Sequence, residues 1–174
     1  TYLVKAGFDI GDITKAGLVS KNSRGLYRDR FENRVIFPIF NHFGKPVAFT
    51  GRILPAVAES FKGDFQPPKY LNSPETPIFS KSKILYGFHK SKNEIAKSQQ
   101  IFLVEGQMDF LMAWQAGVRT AAAVSGSALS SHHLQALRRL ADTIFLNFHK
   151  DEAGVKALER SLELLGGLDF NIKV

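Results

Sequence analysis

Apolar and β-prone residues in the first half of the chain predict a β-hairpin. The apolar runs 35–40 and 46–49 flank the polar segment 41–45, which contains Gly44. A glycine in a short connection between two such runs is typical of a hairpin turn. The other elements expected in this half are two helices and one proline-rich surface loop, at residues 9–16, 83–97 and 54–73 respectively.

The second half of the chain shows a regular alternation of strand and helix patterns. Residues 101–104 form a short, continuous apolar run, as expected of a buried parallel strand. Met108, Leu111, Met112 and Ala116 then fall on one face of a helix. The alternation continues with strands at 121–124, 143–148 and 170–174 and with helices at 130–140 and 152–165. This order predicts a mainly parallel sheet covered by helices.

The two patterns together predict an α/β protein in two parts. We expect a basic α+β subdomain at residues 1–97 and an α/β subdomain with a mainly parallel sheet at residues 98–174. The 174 residues are 44% hydrophobic and 22% charged, which is ordinary for a globular protein. Apolar runs of the roughly 18–20 residues that a membrane helix needs are absent from the sequence. We therefore expect no membrane association and a cytoplasmic location.

Cysteine is absent from the sequence, which limits the chemistry that the chain can perform. Disulfides, thiolate nucleophiles and cysteine-containing zinc sites are excluded, so we expect no zinc in this chain. Histidine and the carboxylates remain as candidate metal ligands.

Positive charge is concentrated in the first hundred residues. The chain carries a net charge of +7. Residues 1–100 have 16 Lys and Arg against 8 Asp and Glu, whereas residues 101–174 have 7 against 8. The excess indicates either a surface that binds a polyanion or lysines that serve solubility alone, and charge by itself does not separate the two.

Three carboxylates are expected at one edge of the predicted sheet. Glu105 directly follows the first strand of the second half, and Asp109 lies one helical turn later. Asp151 follows the third strand, after His149 and Lys150. Ligands collect at the carboxyl ends of parallel strands, and Mg²⁺ prefers oxygen ligands. The alternative is structural, with Asp109 and Asp151 stabilising the first turns of their helices.

Two segments around these acids resemble a known module. The sequence Val-Glu-Gly-Gln-Met-Asp at 104–109 and the sequence Phe-His-Lys-Asp-Glu-Ala-Gly at 148–154 are similar to the TOPRIM signature. Primases, type IA and type II topoisomerases and some nucleases share that module. Segments 27–39, 50–54 and 68–81 closely resemble the catalytic core of the bacterial DnaG-type primase.

The primase resemblance implies an enzyme that makes short RNA primers on single-stranded DNA from ribonucleoside triphosphates with Mg²⁺ or Mn²⁺. It implies a site in the groove between the two subdomains, and a replicative helicase as a partner of a further domain outside these residues. It assigns catalysis and metal binding to the acidic residues Glu105, Asp109 and Asp151, with His149 as a further metal ligand. Nucleotide and template binding are assigned to Arg28, Arg30, Arg34, Arg52, Lys69, Asn72 and Lys81.

One departure from the family pattern affects the metal expectation. The family has Asp-Gly-Asp where this chain has His149, Lys150 and Asp151. The replacement changes the local charge by about +2, which is expected to weaken Mg²⁺ binding and to favour Mn²⁺. This departure supports one alternative to a primase, a non-catalytic single-stranded nucleic-acid-binding remnant. A fragment of a TOPRIM nuclease or topoisomerase is a second alternative, because those proteins share the module.

Several other conspicuous residues are interpreted as structural. We expect His132 and His133 to lie on the surface, at the start of a helix capped by Ser130 or Ser131. Phe61 and Phe65, in the expected surface loop, either anchor that loop or stack on the bases of single-stranded DNA.

Overall fold

A computed structural model of the chain describes residues 2–61, 66–125 and 129–174. The chain divides into two units, one made of Thr1–Ile39 and Val47–Phe79 and the other of Phe40–Pro46 and Ser80–Val174. These units are defined by contacts within the chain and do not test the expected subdomain boundary between residues 97 and 98, which stays a prediction.

The described residues of the first unit form two small sheets and three short helices. Strands β1 and β2 form an antiparallel pair, and β3, β4 and β5 form a three-stranded sheet in that order. Ile13, Ile39, Ala48, Ile53 and Phe79 are its buried apolar residues. The elements are α1 (Tyr2–Lys5), α2 (Ile10–Lys15), β1 (Val19–Lys21), β2 (Tyr27–Asp29), β3 (Arg34–Phe40), β4 (Pro46–Ile53), α3 (Pro55–Ser60) and β5 (Tyr70–Asn72).

The second unit is a four-stranded parallel sheet with helices. Its strand order is β7-β6-β8-β9, and the three strand pairs are parallel. After a short 3₁₀ helix (Lys81–Lys83), the elements are α4 (Phe88–Ser98), β6 (Gln100–Val104), α5 (Gln107–Gln115), β7 (Ala121–Ala123), α6 (Ser131–Leu137), β8 (Thr143–Asn147), α7 (Glu152–Leu165) and β9 (Asn171–Lys173). The predicted α/β class with a parallel sheet is therefore confirmed.

The central strand β6 explains why this sheet is stable. Ile101 and Leu103 of β6 and Ile144 of β8 are fully buried. Removing one such side chain from water contributes about 1.5–3 kcal/mol. The register pairs Val104 with Asn147, so β6 and β8 end at the same edge of the sheet. That edge is where the residues after each strand meet.

The hairpin expected around Gly44 is present. Strands β3 and β4 are neighbours, and the backbone N–H of Asn41 donates to the carbonyl of Lys45 at 2.9 Å. Gly44 has a φ of +79°, a conformation that L side chains rarely adopt. The turn therefore depends on this glycine, as the sequence indicates.

The prediction of a loop throughout residues 54–73 is wrong in two places. Residues Pro55–Ser60 form helix α3, because proline at its first turn has the helical φ and lacks an N–H that would otherwise be unpaired. Residues Tyr70–Asn72 form β5, which pairs with β4. Phe65 lies outside the described residues, whereas Phe61 is partly exposed at 39%.

Helix α4 begins later than expected. It starts at Phe88 instead of residue 83, because Gly87 has a φ of +79° and interrupts the helical geometry. A Cβ at Gly87 would lie 2.2 Å from the Phe110 ring, so the close approach of these two segments requires glycine.

The expected surface position of His133 is wrong. His133 is only 1% exposed, whereas its neighbour His132 is exposed. The Ser130 hydroxyl accepts a hydrogen bond from the His133 backbone N–H at 3.2 Å, which confirms Ser130 as the cap of α6. The Ser130 backbone N–H donates in turn to Nδ1 of His133 at 3.3 Å. This reciprocal pair holds the ring inward, and burial lowers the pKa of His133 to about 4.

Candidate functional site

An acidic pair lies at the carboxyl edge of the parallel sheet. Glu105 follows β6 directly, and Asp109 lies in the first turn of α5. The Asp109 carboxylate accepts a hydrogen bond from the Gly106 backbone N–H at 2.9 Å, so it stabilises the start of α5 as well as facing the edge. The two side chains are 23% and 35% exposed, so each is partly in contact with solvent.

His149 contacts both members of this pair. Its Nδ1 lies 3.5 Å from Glu105 Oε2, and its Nε2 lies 3.4 Å from Asp109 Oδ1. The His149 backbone N–H also donates to Glu105 Oε2 at 3.4 Å. We call Glu105, Asp109 and His149 the edge cluster. The sequence predicts that Glu105 and Asp109 meet with Asp151, and it adds His149 as a further metal ligand. The parallel register of β6 and β8 brings His149 to the two acids.

Asp151 is engaged at the start of α7. Its Oδ1 accepts a hydrogen bond from the Gly154 backbone N–H at 2.8 Å, which makes it the N-cap of that helix. A Cβ at Gly154 would lie 2.1 Å from the His149 carbonyl oxygen, so only glycine allows this close packing. The structural alternative considered for Asp151 is thus realised, and none of its described contacts is with the edge cluster.

The donor chemistry of the edge cluster suits a divalent cation, but its arrangement does not. In the described ranges, no group of three or more His, Asp or Glu side chains is arranged to hold a metal ion. The two ring nitrogens of His149 each face a different carboxylate, whereas a metal-bound imidazole offers one nitrogen to the ion. The residues as they stand therefore do not fit a metal.

In the first unit, the predicted basic residues gather on β3, β4 and β5. Arg52 on β4 is paired in register with Tyr70 on β5, and its guanidinium lies over the Tyr70 ring at 6.0 Å. Lys69 precedes β5 and is exposed. Asn72 is opposite Thr50 in the same strand pair. Tyr70 was missed as a candidate, although its place between Lys69 and Asn72 in the family-like segment could have indicated it.

Two of the predicted arginines bind the protein's own backbone. Arg30 donates from Nε and Nη2 to the carbonyl of Asn72, at 3.1 and 2.9 Å. Arg34 donates from Nη1 to the carbonyls of Gly51 and Pro68, at 3.0 and 2.9 Å. Burial lowers the pKa of Arg34 from its usual value. Both side chains therefore stabilise this part of the first unit through hydrogen bonds to backbone carbonyls.

The remaining predicted basic residues lie elsewhere. Arg28 on β2 forms an exposed ion pair with Glu32 at 3.3 Å. Lys81 begins the short 3₁₀ helix of the second unit. The structure therefore places Arg34, Arg52 and Asn72 in one sheet, with Lys69 directly before β5 and Arg30 bonded to Asn72 from the turn after β2. Arg28 and Lys81 lie outside that group.

Comparison with known proteins defines the class and then the family. Residues 102–174, which contain the parallel sheet and its acidic edge, match a family model described as Toprim-like. Residues 1–92 match the model described as DNA primase catalytic core, N-terminal domain, and that match covers more than half of the chain. The chain therefore belongs to the DnaG-type DNA primase catalytic-core family.

Individual relatives agree with this assignment. The chain is 44% identical over 167 residues to a DNA primase of Halalkalibacterium halodurans, covering 94% of this chain and 26% of that protein. A crystal structure of a DNA primase domain from Pseudomonas aeruginosa superposes with a TM-score of 0.80 at 41% identity, covering 94% of this chain and 50% of that one. The DnaG primase catalytic domain bound to single-stranded DNA gives 0.78 at 32% identity, with 94% and 49% coverage. The chain thus spans about a quarter of the curated relative's length.

The described helices give no membrane span. The longest of them, α7, has 14 residues, and none combines the length and apolar character needed to cross a bilayer.

Proposed function

We propose that this chain is the segment of a primase that binds single-stranded DNA template and ribonucleoside triphosphates and supports the synthesis of RNA primers. The observation that carries the proposal is the position of the acidic pair of Glu105 and Asp109, at the carboxyl edge of a Toprim-like sheet. We assign to Glu105 the role of accepting the proton of a growing primer's 3′-hydroxyl. Carboxylates alone repel a triphosphate, so a divalent cation, when bound, would neutralise the charge of the nucleotide.

We assign the binding of the template and of the nucleotides to the basic residues. Lys69 and Arg52 supply positive charge for phosphates, and the Tyr70 ring beneath Arg52 offers a face for stacking. Arg30 and Arg34 are proposed to act beside them while holding the strands in place. We propose the same role in nucleotide and template binding for Arg28, Asn72 and Lys81.

A divalent metal is part of the sequence-based expectation. Mg²⁺ or Mn²⁺ bound by Glu105, Asp109, Asp151 and His149 stays a prediction, and no catalytic step is assigned to it here because the side chains as arranged do not fit the ion. Cytoplasmic location in association with the nucleoid, and a replicative helicase as a partner of the whole protein, accompany the primase proposal.

The test is template binding and primer synthesis by the 174-residue chain. Fluorescence anisotropy with a labelled single-stranded oligonucleotide at low salt measures binding, and incorporation of a labelled ribonucleotide measures synthesis. We expect Glu105→Gln to abolish incorporation while binding persists. The matched control is Glu163→Gln, an exposed glutamate on α7 that should leave both measurements unchanged. Absence of oligonucleotide binding by the folded chain, or equal incorporation by Glu105→Gln, overturns the proposal.

A second candidate function is a non-catalytic single-stranded nucleic-acid-binding module. The contact of His149 with both carboxylates favours it, because those carboxylates are then engaged within the protein. The double variant His149→Asp, Lys150→Gly separates the two. Incorporation gained only in this variant supports the binding module, and incorporation by the unaltered chain supports the enzyme.

A further inference from the structure

The edge cluster has the residues of a cation site but not its geometry. Glu105 and Asp109 present oxygens at the same edge, and the space between them is taken by the imidazole of His149. Two carboxylates near each other repel unless a positive or hydrogen-donating group lies between them. In this chain that group is a side chain of the protein itself.

We propose that His149 is a built-in competitor of divalent cations, which closes the acidic pair by occupying the space between Glu105 and Asp109. The inference rests on the acidic site of the proposed function. It concerns what controls access of a cation to that site.

The distances distinguish a competitor from a ligand. Each ring nitrogen of His149 lies 3.4–3.5 Å from an oxygen of a different carboxylate. Divalent cations bind oxygen ligands at about 2.0–2.6 Å and bind an imidazole through one nitrogen. A ring that turns one nitrogen to each carboxylate leaves no point where both oxygens and one nitrogen converge. A cation therefore reaches the pair only when the ring moves out.

The backbone keeps the ring at the pair. The His149 N–H donates to Glu105 Oε2, and the His149 carbonyl packs closely on Gly154. Asp151 makes no described contact with the pair, and its Oδ1 accepts from the first turn of α7. The loop after β8 thus holds one imidazole at the pair, while the carboxylate that follows it caps α7.

Lys150 provides a matched control for charge. It is the next residue and is exposed, so its substitution removes a positive charge from the same loop without emptying the space between the carboxylates. Exposed charges act through water and contribute little to a local site. If the ring controls cation binding by occupying the space, His149→Ala raises the affinity and Lys150→Ala does not. If the net charge of the loop controls it, both variants raise the affinity equally.

The experiment titrates MnCl₂ into the folded 174-residue chain at one fixed pH and measures free Mn²⁺ by electron paramagnetic resonance, with neither DNA nor nucleotide present. We expect His149→Ala to bind Mn²⁺ about tenfold more tightly than the unaltered chain, the scale seen for residues beside metal sites. Lys150→Ala should gain less than about twofold. Adding Glu105→Gln to His149→Ala should remove the gain.

Three outcomes overturn the inference. Weaker binding by His149→Ala makes His149 a ligand, unchanged binding means that the ring does not compete, and an equal gain in Lys150→Ala assigns the effect to net charge. The His149 side chain is 56% exposed, so its truncation should leave the fold intact. His149→Asn, whose side chain is too short to face both carboxylates, repeats the test if the alanine variant fails to fold. The Mn²⁺ titration contains neither template nor nucleotide. A failure of primer synthesis in its own assay would therefore overturn the proposed function without changing the result of the titration.

Discussion

Arginine side chains in this protein have two different roles, which the sequence alone does not distinguish. Arg30 and Arg34 direct their guanidinium groups to backbone carbonyls within the first unit, whereas Arg52 lies over an aromatic ring. The planar fork of arginine suits the first role, because two N–H groups can meet one carbonyl or two neighbouring ones. A positive charge in a basic segment is therefore weak evidence for nucleic-acid contact on its own.

Substitution of the two backbone-binding arginines should lower stability. We expect Arg30→Ala and Arg34→Ala each to reduce the free energy of unfolding by about 1–3 kcal/mol, because carbonyls that are partly buried lose their donors. Urea denaturation measures the change. Arg24→Ala, at an exposed position, is the control and should stay within about 0.5 kcal/mol of the unaltered chain. Equal effects in all three variants would contradict the structural role.

The buried ring of His133 predicts a pH dependence of stability. Desolvation lowers its pKa from 6.5 to about 4, although the backbone carbonyls of Lys81 and Ile84 act in the opposite direction and His132 adds to the lowering. The unfolded chain therefore binds a proton that the folded chain does not, and stability rises with pH between these values. The contribution is fully present above pH 6.5 and is lost as the pH falls towards 4, by on the order of 3 kcal/mol.

The variant His133→Gln isolates this effect. It removes the titrating group, so the loss of stability between pH 6.5 and 4 should be smaller than in the unaltered chain. Thermal or urea unfolding at several pH values gives the slope, which is independent of any constant loss that the substitution causes. Identical slopes in the two proteins would show that His133 does not titrate in this range on unfolding.

At the scale of elements, the alternation of strand and helix patterns correctly predicted the elements of the second half. It did not predict every boundary. The apolar run at β6 and the amphipathic pattern of α7 were correctly placed, because burial on a sheet demands those patterns. Helix α3 and strand β5 were missed, because neither is long enough to show a period. Strand β5 exists through its pairing with β4, which is a contact between distant parts of the chain.

Helix α7 allows the capping role of Asp151 to be separated from a role of its charge. We expect Asp151→Ala to lower the free energy of unfolding by about 1 kcal/mol, because the Gly154 N–H loses its acceptor. Asparagine is an equally good N-cap, so Asp151→Asn should keep the stability of the unaltered chain. Chemical denaturation measures both. A loss of primer synthesis in the stable Asp151→Asn variant would show that the carboxylate charge itself is needed.

At the scale of the whole molecule, the positive charge is shared more evenly than the sequence order suggests. By residue count the first unit has 10 Lys and Arg against 7 Asp and Glu, and the second has 13 against 9. The net charges are +3 and +4. The reason is that the lysines between residues 81 and 97 belong to the second unit, although they lie in the basic first half of the sequence.

Binding of single-stranded DNA should be steeply salt-dependent and should depend on particular cations. We expect the triple variant Arg52→Ala, Lys69→Ala, Lys81→Ala to lose affinity and to reduce the slope of log K against log salt by about 2, since each lost phosphate contact contributes roughly 0.7. Anisotropy titrations at several salt concentrations give the slope.

The control for this prediction removes the same charge from the same units. Lys15 and Lys21 lie in the first unit and Lys156 in the second, and all three are exposed. Their triple substitution by alanine should leave the slope nearly unchanged. An equal loss in the control would assign binding to net charge, and an unchanged slope in the test variant would place the template elsewhere.

The sequence by itself determined the α/β class, the parallel sheet and the position of Glu105 and Asp109 at its carboxyl edge. These follow from local patterns, because burial fixes the period of apolar residues and parallel strands place their carboxyl ends together. Tertiary structure alone decided what each polar group contacts. It buried His133 and placed the His149 ring between two carboxylates, because burial and such contacts depend on residues far apart in the chain. The capping of α7 by Asp151 is a local contact that the sequence offered as an alternative, and the structure decided in its favour.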